Sequence, residues 1–205
     1  MYKKQLETTE DKPLSMDTAH MLQLKSIYIA PYIQIATNLI GKIRFAGGNM
    51  FRHQIDTLGI LIDYGYIDSI LLKASLVHDV IEDIPGFDED VIRNADEDGP
   101  AVLELVKEVT KLEGQKKSDY LKNIIDHGSH RARILKCADR ISNMISLGFV
   151  TSPEFIERYC DETEYYILPL ALEIDFNMYD EILRLVASRR TYLEESGYFE
   201  RKKNK

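Results

Sequence analysis

Apolar residues recur at three- and four-residue spacing along nearly the whole chain, and strictly alternating runs bounded by hairpin turn pairs are absent. The pattern predicts an all-α protein. After a polar leader over residues 1–17, helices are expected over 18–29 and 32–43, with Pro31 as a break or a first-turn residue. RFAGGNMFRHQ then reads as an irregular loop, because Gly47, Gly48 and Asn49 punctuate it, and residues 54–64 resume a helix that Gly65 ends. Asp68 or Ser69 caps the next helix, which carries ILLKASLVHDVIED until Pro85 and Gly86 stop it. Shorter helices are expected over 88–95, 101–111 and 119–126, the last with Ser118 as its cap. Ser129 opens a long helix, HRARILKCADRISNMISL. Ser152-Pro153 starts another through ERYCDETEYYILPLALEI, where Pro169 predicts a kink or a break, and 179–195 is the last helix. Residues 199–205 read as a basic, frayed tail.

With 205 residues and no linker or internal repeat, the chain reads as one domain over residues 18–198, a bundle of roughly eight to ten helices. No uninterrupted apolar stretch is long enough to span a bilayer, and MYKKQLETTEDK lacks the apolar segment of a signal peptide. A soluble, cytoplasmic protein with no membrane partner is expected. Cys137 and Cys160 stand in helical segments without zinc or redox spacing, as buried free thiols do. The net charge of −8 argues against a nucleic-acid surface, which needs Lys and Arg to neutralise phosphates. It leaves room for a small phosphorylated ligand, for which a local basic cluster or a bound cation suffices.

Candidate chemistry concentrates in HDVIED. On a continuous helix at about 100° per residue, Asp79, Glu82 and Asp83 fall within about 140° of His78, so one broad face would present a histidine and three carboxylates. If this turn shares the burial of Leu71, Leu72, Ala74, Leu76 and Val77, the carboxylates lose water together and repel unless a cation sits among them. If it does not, the same residues are a solvated helix end. Two further segments bear on the choice: His53 follows the glycine loop, and Asp139 lies mid-helix among Ile134, Leu135, Ala138, Ile141 and Met144.

Taken in order, RFAGGNMFRH, LVHDVIED, VKEVTKL and KCADRISNM resemble the signature segments of the HD-domain metal phosphohydrolases, and more narrowly the hydrolase domain of the RelA/SpoT family and its stand-alone small alarmone hydrolases. ERYCDETEYYILPLA resembles the helix that follows that family's catalytic core. The resemblance spans residues 40–172 and implies an all-α fold.

It also implies a divalent ion, manganese by family habit, held by His53, His78, Asp79 and Asp139. Two imidazoles and two carboxylates without thiolate suit an octahedral ion, with iron, cobalt or zinc as further candidates by donor type. Glu82 and Asp83 would orient and deprotonate the attacking water. The implied reaction is removal of the 3′-pyrophosphate from guanosine tetra- or pentaphosphate, giving GDP or GTP. Arg44, Asn143 and Ser146 match the family's nucleotide contacts. Lys136 and Lys111 would neutralise phosphates or pair with acids of the core, and a structural salt bridge is expected of Arg140.

The chain departs from the family pattern at Phe45, where lysine is usual, at Gly48, Asn49 and Met50, and at Gln54, where proline follows the histidine. These departures are expected to fall in the nucleotide-recognition loop, away from the metal ligands. Phe45 offers a face for stacking, which discriminates poorly between purines, so ppApp and NADPH also come into view as substrates. The same motifs would serve a nucleoside monophosphatase, a dNTP hydrolase or a non-catalytic nucleotide-sensing domain. Intact ligands argue against the last of these, and a bifunctional enzyme with a synthetase domain is not expected. Oligomeric state is not legible in the sequence.

Overall fold

The structure, a computed structural model, describes residues 18–203, so the polar leader expected over 1–17 lies outside the described residues. Among these it contains thirteen α-helical segments and no strand, only an isolated antiparallel bridge between Ile43 and Asn49. In chain order they are α1 (Thr18–Ser26), α2 (Ala30–Ala36), α3 (Met50–Asp63), α4 (Ser69–Val77), α5 (Val80–Asp83), α6 (Asp90–Arg93), α7 (Gly99–Val109), α8 (Lys117–His127), α9 (His130–Ser146), α10 (Pro153–Glu162), α11 (Leu168–Ile174), α12 (Phe176–Glu195) and α13 (Tyr198–Lys203). The all-α expectation holds, with breaks inside the expected helices producing the shorter segments.

Helix α9 is the axis of the bundle, packed on α3, α7, α11 and α12. Its Ile134, Leu135, Ala138, Ile141 and Met144 are buried, each worth about 1.5–3 kcal/mol for the larger side chains. Helix α4 is buried on every side from Leu71 to Val77, as a helix without a polar face must be. Its one cation, Lys73, is accommodated by ion pairs of 2.7 Å to Asp96 and 2.6 Å to Asp98. Because α3 packs on both α4 and α9, one side of α3 looks onto the end of α4 and the middle of α9. The candidate site forms where these three meet.

Local chemistry explains where the elements begin and end. The caps expected at Ser129 and Ser152 form, their hydroxyls accepting from the amides of Ala132 at 3.2 Å and Phe155 at 3.4 Å. Helix α3 starts earlier than expected, because the Asn49 side chain accepts from the Arg52 amide and pulls residues 50–53 into the first turn. Helix α2 ends at Ala36 in a short 3-10 turn, and residues 40–43 are not helical. Ser118 does not cap α8, whose first residue is Lys117; its hydroxyl bonds Asp119 instead. A π-helical turn at Thr163–Ile167 precedes α11, with Pro169 in that helix's first turn, which is the break the proline predicts. The frayed tail expected from residue 199 is helical through Lys203, since Tyr198 is buried and Lys202 pairs with Glu157 at 2.6 Å. No described helix is long and apolar enough to cross a membrane.

Candidate active site

The expected continuous helix through HDVIED is broken. Helix α4 stops at Val77, His78 and Asp79 form a turn, and α5 restarts at Val80. The shared-face geometry of a continuous helix therefore does not describe these residues. The break turns His78 and Asp79 toward α3 and α9, where one ligand atom each from His53, His78 and Asp139 lies within 4.8 Å of the others.

Around this point His53 Nε2 is 3.1 Å from Asp139 Oδ1 and 3.5 Å from Asp79 Oδ2. His78 Nε2 is 3.3 Å from Asp79 Oδ2 and 3.9 Å from Asp139 Oδ1. Ligands at about 2.1 Å from one octahedral ion stand about 3.0–4.2 Å from each other, so the His53, His78 and Asp139 atoms suit a single cation, with Asp79 Oδ2 beside both imidazoles. Both imidazoles are held from behind. His78 Nδ1 donates to the carbonyl of Ser75 at 2.8 Å, which directs Nε2 inward, and His53 Nδ1 is 2.8 Å from Ser142 Oγ. His78 Nε2 is buried without a hydrogen-bond partner, the state of a nitrogen whose partner is an ion.

The electrostatics agree. Burial works against a charged His78, yet Asp79 and Asp139 outweigh it and hold its pKa up at about 9. Burial would raise the pKa of Asp139, but Lys136 and the two histidines hold it well below the ordinary carboxylate range. Its two oxygens divide the work, Oδ2 pairing with Lys136 at 2.7 Å while Oδ1 faces the histidines and accepts from Asn143.

Glu82 and Asp83 lie on α5 at the same cleft of about 300 Å³, which the four ligand candidates also line. Glu82 Oε2 accepts from the Lys111 amide at 3.1 Å, with Lys111 Nζ 4.0 Å from the other oxygen. Asp83 Oδ1 pairs with Lys42 Nζ at 3.0 Å. Lys42 is not among the residues expected at the site, although Lys42 and Arg44 are two apart in an extended segment and so share a side. That segment is the first arm of a tight loop: Met50 N–H donates to the Lys42 carbonyl at 2.9 Å and Arg44 N–H to the Gly48 carbonyl at 3.2 Å. The turn needs positive φ at Gly47 (87°) and Gly48 (70°), which side chains resist.

Arg44 donates to Asn143 Oδ1 at 2.7 Å and Ser146 Oγ at 3.0 Å, so the three expected nucleotide contacts meet. Lys136 and Lys111 reach the cleft with their cations beside Asp139 and Glu82. Phe45 is 71% exposed and packs its ring 4.9 Å from Phe155; it is not part of the cleft wall. Gln54 is not in the recognition loop where it was expected: it is buried in α3 and bonded to Asp79. Sequence reasoning also missed Lys117, Tyr120 and Tyr159, which line the cleft and carry no local signal.

The salt bridge expected of Arg140 forms with Glu162 at 2.6 Å, and the guanidinium stacks 4.3 Å from the Tyr159 ring centroid. Because Arg140 is only 1% exposed, Glu162→Ala should strand a buried cation and lower stability by about 3–5 kcal/mol in denaturant unfolding. A loss within the range of a surface pair would show that the contact does not support the cleft wall.

No family model matches the chain. It is 31% identical over 173 residues to a GTP pyrophosphokinase of Streptomyces coelicolor, an alignment covering 73% of this chain and 20% of that protein. It is 31% identical over 140 residues to a guanosine-3′,5′-bis(diphosphate) 3′-pyrophosphohydrolase of Haemophilus influenzae, covering 64% of this chain and 20% of the relative. Against the guanosine-3′,5′-bis(diphosphate) 3′-pyrophosphohydrolase MESH1 of Drosophila melanogaster the identity is 34% over 99 residues, 46% of this chain and 54% of that one. The matched stretch is thus about a fifth of the bacterial relatives. A solved structure of a metazoan orthologue of SpoT that hydrolyses ppGpp superposes with a TM-score of 0.67 at 23% identity, covering 78% of this chain and 96% of that chain. The chain is thus similar in sequence, over part of their length, to GTP pyrophosphokinases and to guanosine-3′,5′-bis(diphosphate) 3′-pyrophosphohydrolases, and it shares the fold of the solved structure.

Proposed function

We propose that the chain is a metal-dependent 3′-pyrophosphohydrolase of alarmone nucleotides, taking (p)ppGpp to GDP or GTP and pyrophosphate. The observation that carries the metal half is the buried, unpartnered His78 Nε2 among carboxylate oxygens of Asp79 and Asp139. The relatives whose names specify hydrolysis of this nucleotide carry the substrate half. His53, His78, Asp79 and Asp139 would hold the ion, and a mixed nitrogen and oxygen set without thiolate suits Mn²⁺. When bound, the ion supplies Lewis acidity to the attacking water and to a phosphoryl oxygen.

The chain's own groups do the rest. Glu82 and Asp83, steadied by Lys111 and Lys42, orient the water and accept its proton. Arg44, Asn143 and Ser146 bind the nucleotide, with Lys111 and Lys136 facing its phosphates. We place the activity in the cytoplasm, where the buried thiols Cys137 and Cys160 stay reduced. The test is assay of the purified protein with Mn²⁺ against ppGpp, ppApp, NADPH and a nucleoside monophosphate, with products separated by chromatography. Release of pyrophosphate from ppGpp is expected; phosphate from the monophosphate alone would replace this reading with a phosphatase.

Base choice is a separate question, carried by the loop. Phe45 next to Arg44 replaces a cation and its donors by an apolar ring. Phe45 stands outside the cleft wall, but a longer lysine side chain from the same loop can reach toward it, so the guanine-to-adenine ratio in kcat/KM is expected to be modest in wild type and to rise on the order of tenfold in Phe45→Lys, the worth of one charge-assisted hydrogen bond to the base edge. A strong guanine preference that the substitution leaves unchanged would show that position 45 does not set the base.

A further inference from the structure

Gln54 follows His53 in α3 and is fully buried. Its side-chain amide does two unequal things. Nε2 donates at 2.7 Å to Asp79 Oδ2, the oxygen that stands 3.5 Å from His53 Nε2 and 3.3 Å from His78 Nε2. Oε1 is buried with no hydrogen-bond partner. Turning the amide over would set its oxygen against a carboxylate oxygen, two acceptors face to face, so the carboxylate fixes the orientation and leaves Oε1 unsatisfied. A methionine of similar length would fill this space without the unsatisfied carbonyl. An amide kept here at that cost directs attention to its other end.

We propose that Gln54 is a positioning residue that holds Asp79 Oδ2 toward the metal position and thereby sets the affinity for the ion. Asp139 is fixed by Lys136 and Asn143 on a continuous helix. Asp79 instead sits in the turn between α4 and α5, with its side chain 22% exposed, where a carboxylate has more freedom to rotate. A neutral donor suits this place better than a cation, because it orients the carboxylate and leaves its full charge to the ion.

The inference rests on the reading of Asp79 as a ligand, and its test separates the two. Mn²⁺ binding is measured by electron paramagnetic resonance on wild type, Gln54→Met, Asp79→Asn and the double variant, with thermal unfolding of each protein free of metal. Gln54→Met is expected to raise the Mn²⁺ dissociation constant about ten- to a hundredfold, the usual effect of losing an outer partner of a ligand. Its metal-free melting temperature should be unchanged or higher, since the orphaned carbonyl is gone. In the Asp79→Asn background the same substitution should change the affinity little. Wild-type affinity in Gln54→Met, or an equal effect in both backgrounds, overturns the positioning role while leaving the metal site standing; failure of the wild-type protein to bind Mn²⁺ overturns the site itself. If Gln54→Met does not fold, the side-chain amide of Gln54 in the wild-type protein is followed by NMR. Its resonances should shift on saturation with Mg²⁺ and again in Asp79→Asn, and resonances unmoved by both overturn the proposal.

Discussion

Asp139→Asn should emerge from dialysis against metal-free buffer with no divalent ion above background, and with turnover reduced at least a hundredfold. Asp139 supplies the oxygen nearest His53 and also lies toward His78, so the change removes an anionic ligand from between two imidazoles. Loss of a partner behind a ligand already costs about 10–100-fold in affinity, and loss of the ligand's charge costs more. The substitution also takes from Lys136, whose pKa Asp139 raises against the effect of burial, the anion it pairs with, leaving a neutral amide oxygen and the Tyr120 hydroxyl at 3.2 Å. Some destabilisation is therefore expected, and circular dichroism at the assay temperature separates it from metal loss. Metal content by mass spectrometry and single-turnover hydrolysis are the measurements. Wild-type occupancy with wild-type activity would remove Asp139 from the ligand set.

The donor arrangement explains why a metal ion is the better reading than a structural ion-pair network. A network built for stability would leave no buried polar atom without a partner, as Lys73 is satisfied by Asp96 and Asp98. Here Lys136 takes only one oxygen of Asp139, the histidines stand behind fixed Nδ1 contacts, and His78 Nε2 lies near two carboxylates without a hydrogen-bond partner. Each departure from a satisfied network faces the same point.

Much of the fold was legible because it is written in local terms. The apolar spacing of ILKCADRISNM made α9 a buried helix, and Ser129, Ser152 and Pro169 marked boundaries that the structure keeps. The acid-rich knot was legible as a choice between a buried cation site and a solvated helix end; the structure buries His78, leaves Asp79 and Asp83 part-buried and Glu82 exposed. What the sequence concealed lies between segments. The break at His78 and Asp79 falls where α4, packed among α2, α3 and α7, ends, and angles reckoned on an unbroken helix do not anticipate it. The bond from Gln54 to Asp79 spans 25 positions and that from Lys42 to Asp83 spans 41, so no spacing rule reaches them. Gln54 was visible as a departure from a family pattern, yet only the contact reveals that it falls beside a ligand candidate and not in the recognition loop.

The paired variant Glu82→Gln with Asp83→Asn is expected to bind Mn²⁺ as wild type does and to lose about a hundredfold to ten-thousandfold in kcat. Asp79 and Asp139 are the carboxylates beside the two imidazoles, whereas Glu82 and Asp83 pair with Lys111 and Lys42 on the cleft wall. Their side chains are partly open to water, at 35% and 21% exposure, so the contacts they lose carry little stability. An amide in place of Glu82 would keep a carbonyl to accept from the Lys111 N–H, and an amide in place of Asp83 would keep an acceptor for Lys42, so α5 should stay in place. What the variant cannot do is take a proton at neutral pH, because an amide has no basic lone pair to match a carboxylate. The measurements are metal stoichiometry, melting temperature and kcat on ppGpp, with the two single variants alongside to show which carboxylate carries the larger share. Loss of metal in the pair would recast these acids as support for the ion site, and unchanged turnover would end their assignment as the water-activating pair.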